Sequence, residues 1–116
     1  MTFAPYKGYM MGLHTDENHQ VFRWDDHSCR ILFSVCRQGN AASCNFASDK
    51  RGLRKLRVAM REMMDFVFTN FEWCDMILAD VKLRSVKKLV EKLGFIEFTK
   101  SKDFNFYCLP KEVYYG

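Results

Sequence analysis

The segment SDKRGLRKLRVAM, residues 48–60, concentrates the side chains best suited to holding an anion. Lys50, Arg51, Arg54 and Lys55 crowd the first turns of what the spacing predicts to be a helix, and Arg57 and Arg61 continue the band. Cations at a helix N-terminus oppose its macrodipole, at a cost of about 0.3–1 kcal/mol each where exposed. A phosphate reverses the sign, because free backbone N–H groups and the cations then both favour it. The segment is a candidate site for a cofactor pyrophosphate, a nucleic-acid phosphate or an acidic protein. The competing reading is a solvated helix face balanced by Asp49, Glu62 and Asp65.

Other reactive types are scattered. Asp80 closes a strand and can serve as a base or stand as a solvated strand-end acid. Ser85 and Tyr107 offer hydroxyls whose positions the sequence does not fix. His14, His19 and His27 lie in polar segments without a carboxylate-rich helix, a spacing that predicts no metal site. Cys29, Cys36, Cys44, Cys74 and Cys108 are odd in number and form no CxxC pair, so five free thiols in a reducing compartment are expected. No histidine can be argued onto Cys44 to make it a nucleophile. Met10-Met11 and Met63-Met64 read as core filler.

The elements that position these groups must fit 116 residues, a length typical of one domain. Hydrophobic residues make up 48% and aromatic residues 16%, enough for a packed core and unlike a disordered chain. Runs such as RILFSVC are too short to span a bilayer. The start, MTFAPYKGYMMG, lacks a charged region followed by a long apolar one, which predicts a protein that is not secreted. The net charge of +4 permits an acidic partner without specifying nucleic acid.

Residues 1–19 carry Pro5, Gly8 and Gly12 and the polar HTDENHQ, and read as an irregular arm with a short strand around YMMGL. Residues 20–116 read as the single folded domain. QVFRW, CRILFSVC and AASCNFA alternate like strands, joined by turns at DDHS and RQGN. The period then changes. Leu53, Leu56, Met60, Met63 and Val67 mark one face of a helix capped by Ser48 or Asp49 and reaching about Asn70. EWCDMILADV is a central strand. RSVKKLVEKL puts Val86, Leu89, Val90 and Leu93 on one helical face, with Gly94 at the left-handed stop and Phe95 folding back. FIEFT and FNFYCL close the chain as strands, Phe104 and Phe106 alternating like a buried face. The order β-β-β-α-β-α-β-β predicts an α/β fold: a mixed sheet with helices on its two faces and a right-handed crossover between NFA and MILA.

This order resembles the GNAT superfamily of acetyl-CoA-dependent N-acetyltransferases over roughly residues 20–110. KKLVEKLGFIEF looks like that family's fourth helix, its glycine stop and the following strand. SDKRGLRKLRVAM stands where the family has its pyrophosphate loop and third helix. GNAASCNFASD, LRKL and FTKSKDFNFYCL look most like a small acetyltransferase-like family of short-tailed bacteriophages, an internal virion protein in some of them. The resemblance implies a truncated GNAT-like sheet, lacking the first two GNAT helices. It implies acetyl-CoA as cofactor, no metal, and a place in the host cytoplasm or the virion.

Carried over residue by residue, the resemblance assigns cofactor binding to Phe46, Ala47, Arg51, Gly52, Leu53, Arg54 and Lys55. Backbone N–H groups near Phe46 and Ala47 would polarise the thioester carbonyl, and Asp80 would be the base. The family's [QR]-x-x-G-x-[GA] loop keeps Arg51 and Gly52 here, but Arg54 and Leu56 replace small residues, where a side chain obstructs close backbone approach. The tyrosine that serves as general acid is replaced by Val90, leaving Tyr107 and Ser85 as substitutes. The asparagine that opens the fourth helix is Leu83. Three readings therefore stand side by side. The first is a GNAT-fold phage protein with a degenerate acyl-CoA site, acting by binding in the virion or on a host protein. The second is an active N-acetyltransferase, and the third a nucleic-acid binder using the basic band. Self-association through an exposed sheet edge is compatible with each.

Overall fold

The structure is a computed structural model and describes residues 3–116. The alternating segments form β2 (His19–Trp24), β3 (Ile31–Gln38) and β4 (Ala41–Ser48), an antiparallel meander. Phe3–Pro5 adds β1 to the outer side of β2. The strand expected around YMMGL is instead a turn. Leu13 N–H donates to the Met10 carbonyl at 2.9 Å, with φ of 55° at Met11 and 83° at Gly12. Two successive positive φ values are the signature of a type I′ turn, which Gly12 supplies freely. Met11 holds the same region at a cost of about 1–2 kcal/mol. Beyond the meander lie β5 (Met76–Val81), β6 (Ile96–Lys100) and β7 (Asn105–Pro110), giving one seven-stranded sheet ordered β1-β2-β3-β4-β5-β7-β6.

The helices are α1 (Lys50–Leu53), α2 (Leu56–Asn70), α3 (Arg84–Lys92) and α4 (Lys111–Tyr115). α3 ends as its sequence predicts. Gly94 has φ of 100°, Phe95 N–H reaches the Val90 carbonyl at 3.0 Å, and Gly94 N–H reaches that of Glu91 at 3.1 Å. That pair of bonds is a Schellman stop, and Phe95 is buried behind it. The long basic helix, by contrast, is not continuous from Asp49. A Cβ on Gly52 would lie 2.2 Å from Ser48 Oγ and 2.7 Å from Ile31 Cγ1, so the first turn is clamped against the strand ends. The chain is redirected at Arg54 and Lys55 before α2 crosses the sheet. Leu56, Met60, Met63 and Val67 are buried as their spacing requires, whereas Leu53, ahead of the break, is 55% exposed.

Both main helices cover one face of the sheet, not two as the sequence suggested. The register places Phe33, Val35, Cys44, Ile77, Tyr107 and Leu109 on a single side, and their cluster includes Met60 and Met63 of α2 and Val90 of α3. The opposite side carries His19, Arg23, Ser34, Ser43, Asn45 and Asp80 around the buried Val21 and Leu32, which lie outside the cluster that holds α2 and α3. Phe106 shares that second side, so β7 buries Tyr107 and Leu109 and not the expected Phe104 and Phe106. Phe104 is 39% exposed and Phe106 half-buried.

Candidate functional site

β4 and β5 pair in parallel at Ala41 with Met76, Ala42 with Ile77 and Ser43 with Leu78, and there the ladder stops. β4 continues to Ser48 and β5 to Val81 without pairing to one another. The two strands splay, and on the β5 side of residues 44–48 the backbone groups lack a strand partner. Such groups need a partner from solvent or a ligand. The splay opens an outer cleft of about 1060 Å³ and an inner chamber of about 120 Å³, which share Asn45, Phe46, Asp80 and Val86 as walls.

Five of the sequence-predicted residues meet at the outer cleft: Phe46, Ala47, Leu53, Asp80 and Ser85. Asp80 also faces the inner chamber, at the mouth between the two spaces. Val90, which replaces the expected acid, is buried and lines the inner chamber. The polar side chains around that chamber are Cys44, Asn45 and Asp80, with no hydroxyl. Burial pushes the Cys44 thiol far up, which keeps it neutral.

The basic cluster divides around α1. Gly52 N–H donates to Asp49 Oδ1 at 2.7 Å and Arg30 N–H to Asp49 Oδ2 at 3.0 Å, so a carboxylate of the chain already occupies the first turn. Lys55 Nζ lies 2.9 Å from Asp26 Oδ2 and 2.8 Å from Ser28 Oγ. Hydrogen bonds from Ser28 and then Lys55 hold the Asp26 carboxyl well below the usual carboxylate range. Arg51 turns to a separate basin, whereas Arg54 is exposed and without an ion pair among the described residues. α2 begins after Lys55 without a side-chain cap, and its first residue, Leu56, lines the outer cleft. Uncapped first-turn N–H groups at a cleft wall are suited to an anion.

Tyr107 does not line the cleft. Its hydroxyl donates to Glu91 Oε2 at 2.7 Å under α3, and burial, then the carboxylates of Glu91 and Glu97, push its pKa up to about 12. The N-terminal arm takes a share of the site that no sequence signal announces. Met11, Leu13, His14 and His19 line the outer cleft. His19 Nδ1 lies 2.7 Å from Asp16 Oδ1, a bond that holds the Asp16 carboxyl low. The His14 ring stands edge-on to His19 at 6.2 Å. No group of three metal-ligating side chains gathers among the described residues.

Solved structures share this architecture. N-acetyltransferase PseH from Campylobacter jejuni matches with a TM-score of 0.69 and 16% identity, over 83% of this chain and 70% of its own. Its complex with acetyl coenzyme A matches with a TM-score of 0.68 and 15% identity, over the same shares of both chains. A variant of spermidine N-acetyltransferase SpeG from Vibrio cholerae reaches 0.72 at 18% identity, over 87% of this chain and 69% of its own. No protein-family model matches the sequence, and no curated protein matches it. Among the described residues no helix is long and apolar enough to cross a membrane. At this identity the likeness establishes the fold, a mixed α/β GNAT fold of the N-acetyltransferases.

Proposed function

We propose that the chain binds acetyl-CoA, with the acyl-thioester end between the splayed β4 and β5 and the pyrophosphate at the start of α2, and that it transfers the acetyl group slowly to an amine. The observation that carries this reading is the end of the β4–β5 ladder at Ser43 and Leu78, which opens the strands onto the cleft. Acetyl-CoA supplies the activated acetyl group. Backbone N–H groups near Phe46 and Ala47 orient and polarise the acyl carbonyl, Asp80 at the mouth takes the amine proton, and Arg54 and Arg57 add charge near the uncapped turn. The complex of PseH with acetyl coenzyme A supports the cofactor. Transfer is slow because Val90 has no proton to give, and loss of a positioned acid typically costs roughly 10²–10⁴ in rate.

A second reading is favoured by the Asp49 carboxylate at the α1 turn and by Leu56 in place of a small residue. In it the acyl-CoA site is degenerate, and the protein works by binding, as a virion-associated or host-directed phage protein in the virion or host cytoplasm. The resemblance to the short-tailed phage family supports that context. Self-association is compatible with both readings. The last strand of the sheet, β6, is exposed along its length, and a spermidine N-acetyltransferase of the same fold is dodecameric. Calorimetric titration with acetyl-CoA divides the readings. One equivalent bound supports the first, and no heat up to near-millimolar cofactor supports the second.

A further inference from the structure

Beyond the cleft lies a second open basin of about 450 Å³, walled by Arg23, Arg30, Arg51, His27 and Tyr9. It shares one residue with the cleft, Met11 of the strained arm turn, and the α1 turn borders both, with Ser48 and Leu53 on the cleft and Asp49 and Arg51 on the basin. The three guanidinium groups come from three places: β2, the residue before β3, and α1. None has an ion pair, since the ion pairs among the described residues are His19 with Asp16 and Lys55 with Asp26. The one carboxylate in the basin, Asp49, is committed to the backbone N–H groups of Gly52 and Arg30. Arginine stays protonated at any physiological pH, so the basin is a standing cationic surface.

We propose that this basin binds acidic side chains of a polypeptide whose amine enters the cleft, so that the acceptor is an acidic peptide and not a polyamine. The choice of which end reacts rests on the acetyl-transfer reading. The guanidinium groups arise from separate elements around an open basin, an arrangement that suits several carboxylates spaced along a chain better than one compact oxyanion. Each can pair with a carboxylate in the two-pronged geometry arginine favours. A polycation meets the opposite field. It would face three unpaired arginines beside the cleft, whose own wall offers the single carboxylate Asp80. The acceptor side of this chain is thus reversed in charge relative to what spermidine requires, although the fold is shared with a spermidine N-acetyltransferase. In the reaction the amine nitrogen bonds to the acetyl carbon and the carbon–sulfur bond breaks. The amine proton passes to Asp80, and the thiolate leaves to be protonated by solvent.

The test uses the full chain and four probes: a labelled octapeptide with a free N-terminus and alternating glutamates, its lysine counterpart, spermidine, and a single-stranded oligonucleotide. Direct binding is followed by anisotropy, and the unlabelled probes compete. The acidic peptide is expected to bind in a salt-sensitive manner, with the lysine peptide and spermidine at least tenfold weaker. Arg23→Ala with Arg30→Ala is expected to weaken it tenfold or more while leaving acetyl-CoA affinity unchanged. Arg30→Glu, a second variant at an exposed position, should weaken it further, with melting temperature as the check on folding. Equal competition by spermidine, tighter binding of the oligonucleotide, or indifference to the arginine substitutions overturns the proposal. If acetyl-CoA fails to bind while the peptide still binds through these arginines, the transfer reading falls and the basin stands.

Discussion

Asp49 and Gly52 are joined by a 2.7 Å hydrogen bond in which the glycine N–H donates to Oδ1, while Oδ2 takes the N–H of Arg30 at 3.0 Å. The carboxylate caps α1, the turn that precedes α2 in the chain, so its negative charge opposes an anion bound at the proposed pyrophosphate position. Asp49→Asn keeps an oxygen for the cap and removes the charge, so acetyl-CoA should bind threefold or more tightly. Asp49→Ala should lose the cap as well and cost about 1 kcal/mol of stability. Calorimetry and thermal unfolding on the two variants separate the effects. Weaker cofactor binding by Asp49→Asn would mean that the carboxylate helps to build the site.

Val90→Tyr places a phenol on the wall of the inner chamber, where the natural side chain has no proton to donate. Some overpacking is expected, about 1–3 kcal/mol in a buried position. The chamber of about 120 Å³ beside it gives the ring somewhere to go. Thiol release from acetyl-CoA in the presence of an amine should rise at least tenfold, with cofactor affinity within threefold of the natural protein. An unchanged rate in a folded variant would show that the sulfur does not approach α3.

Much of this arrangement was legible in the sequence because it depends on local signals. Alternation located β2 to β4, and the apolar face of RSVKKLVEKL with Gly94 and Phe95 located α3 and its stop. What escaped the sequence depends on contacts between distant segments. Gly52 packs on Ile31 just ahead of the break at Arg54 and Lys55, and the break leaves Leu53 as a cleft wall and not a core residue. β7 has the same alternation whichever side faces the helices, and it is the sheet register that makes Tyr107, bonded to Glu91 of α3, the buried member. At the site, Phe46, Ala47, Leu53, Asp80 and Ser85 line one cleft, whereas Arg51 and Tyr107 point elsewhere. The contribution of Met11, Leu13, His14 and His19 had no periodicity to mark it.

The buried Tyr107 hydroxyl makes stability depend on alkaline pH. Its pKa is raised to about 12 from an ordinary 10.0, chiefly by burial and then by Glu91. A group whose pKa is raised in the folded state stabilises fully below the unfolded value, and the contribution is lost as pH rises from about 10 to about 12. Urea unfolding at pH 9 and at successive points up to pH 12 should therefore show a decline. Tyr107→Phe should reduce that decline, lower stability at pH 9 by about 1 kcal/mol through the lost hydrogen bond, and leave acetyl-CoA binding unchanged. A variant with the same alkaline slope as the natural protein would remove Tyr107 as its source.

The thiols should react in two groups. Cys36 and Cys108 are half-buried, whereas Cys29, Cys44 and Cys74 are buried, and burial raises the pKa of each of these three. Under native, non-reducing conditions an aromatic disulfide reagent should label Cys36 and Cys108 first. All five should become titratable in denaturant. Fewer than five would reveal a disulfide and an oxidising compartment.

The central claim, that the splay between β4 and β5 receives an acyl-CoA, is tested most directly by titrating acetyl-CoA into ¹⁵N-labelled protein and following the amide resonances. The expected result is saturable shifts at Phe46 and Ala47 on β4, at Leu56 to Val58 in the uncapped turn of α2, and along α3 from Ser85 to Val90. Amides of the β2–β3 loop around His27 should stay largely in place. No saturable shift up to 1 mM acetyl-CoA, or shifts confined to surfaces away from the β4–β5 opening, would contradict it.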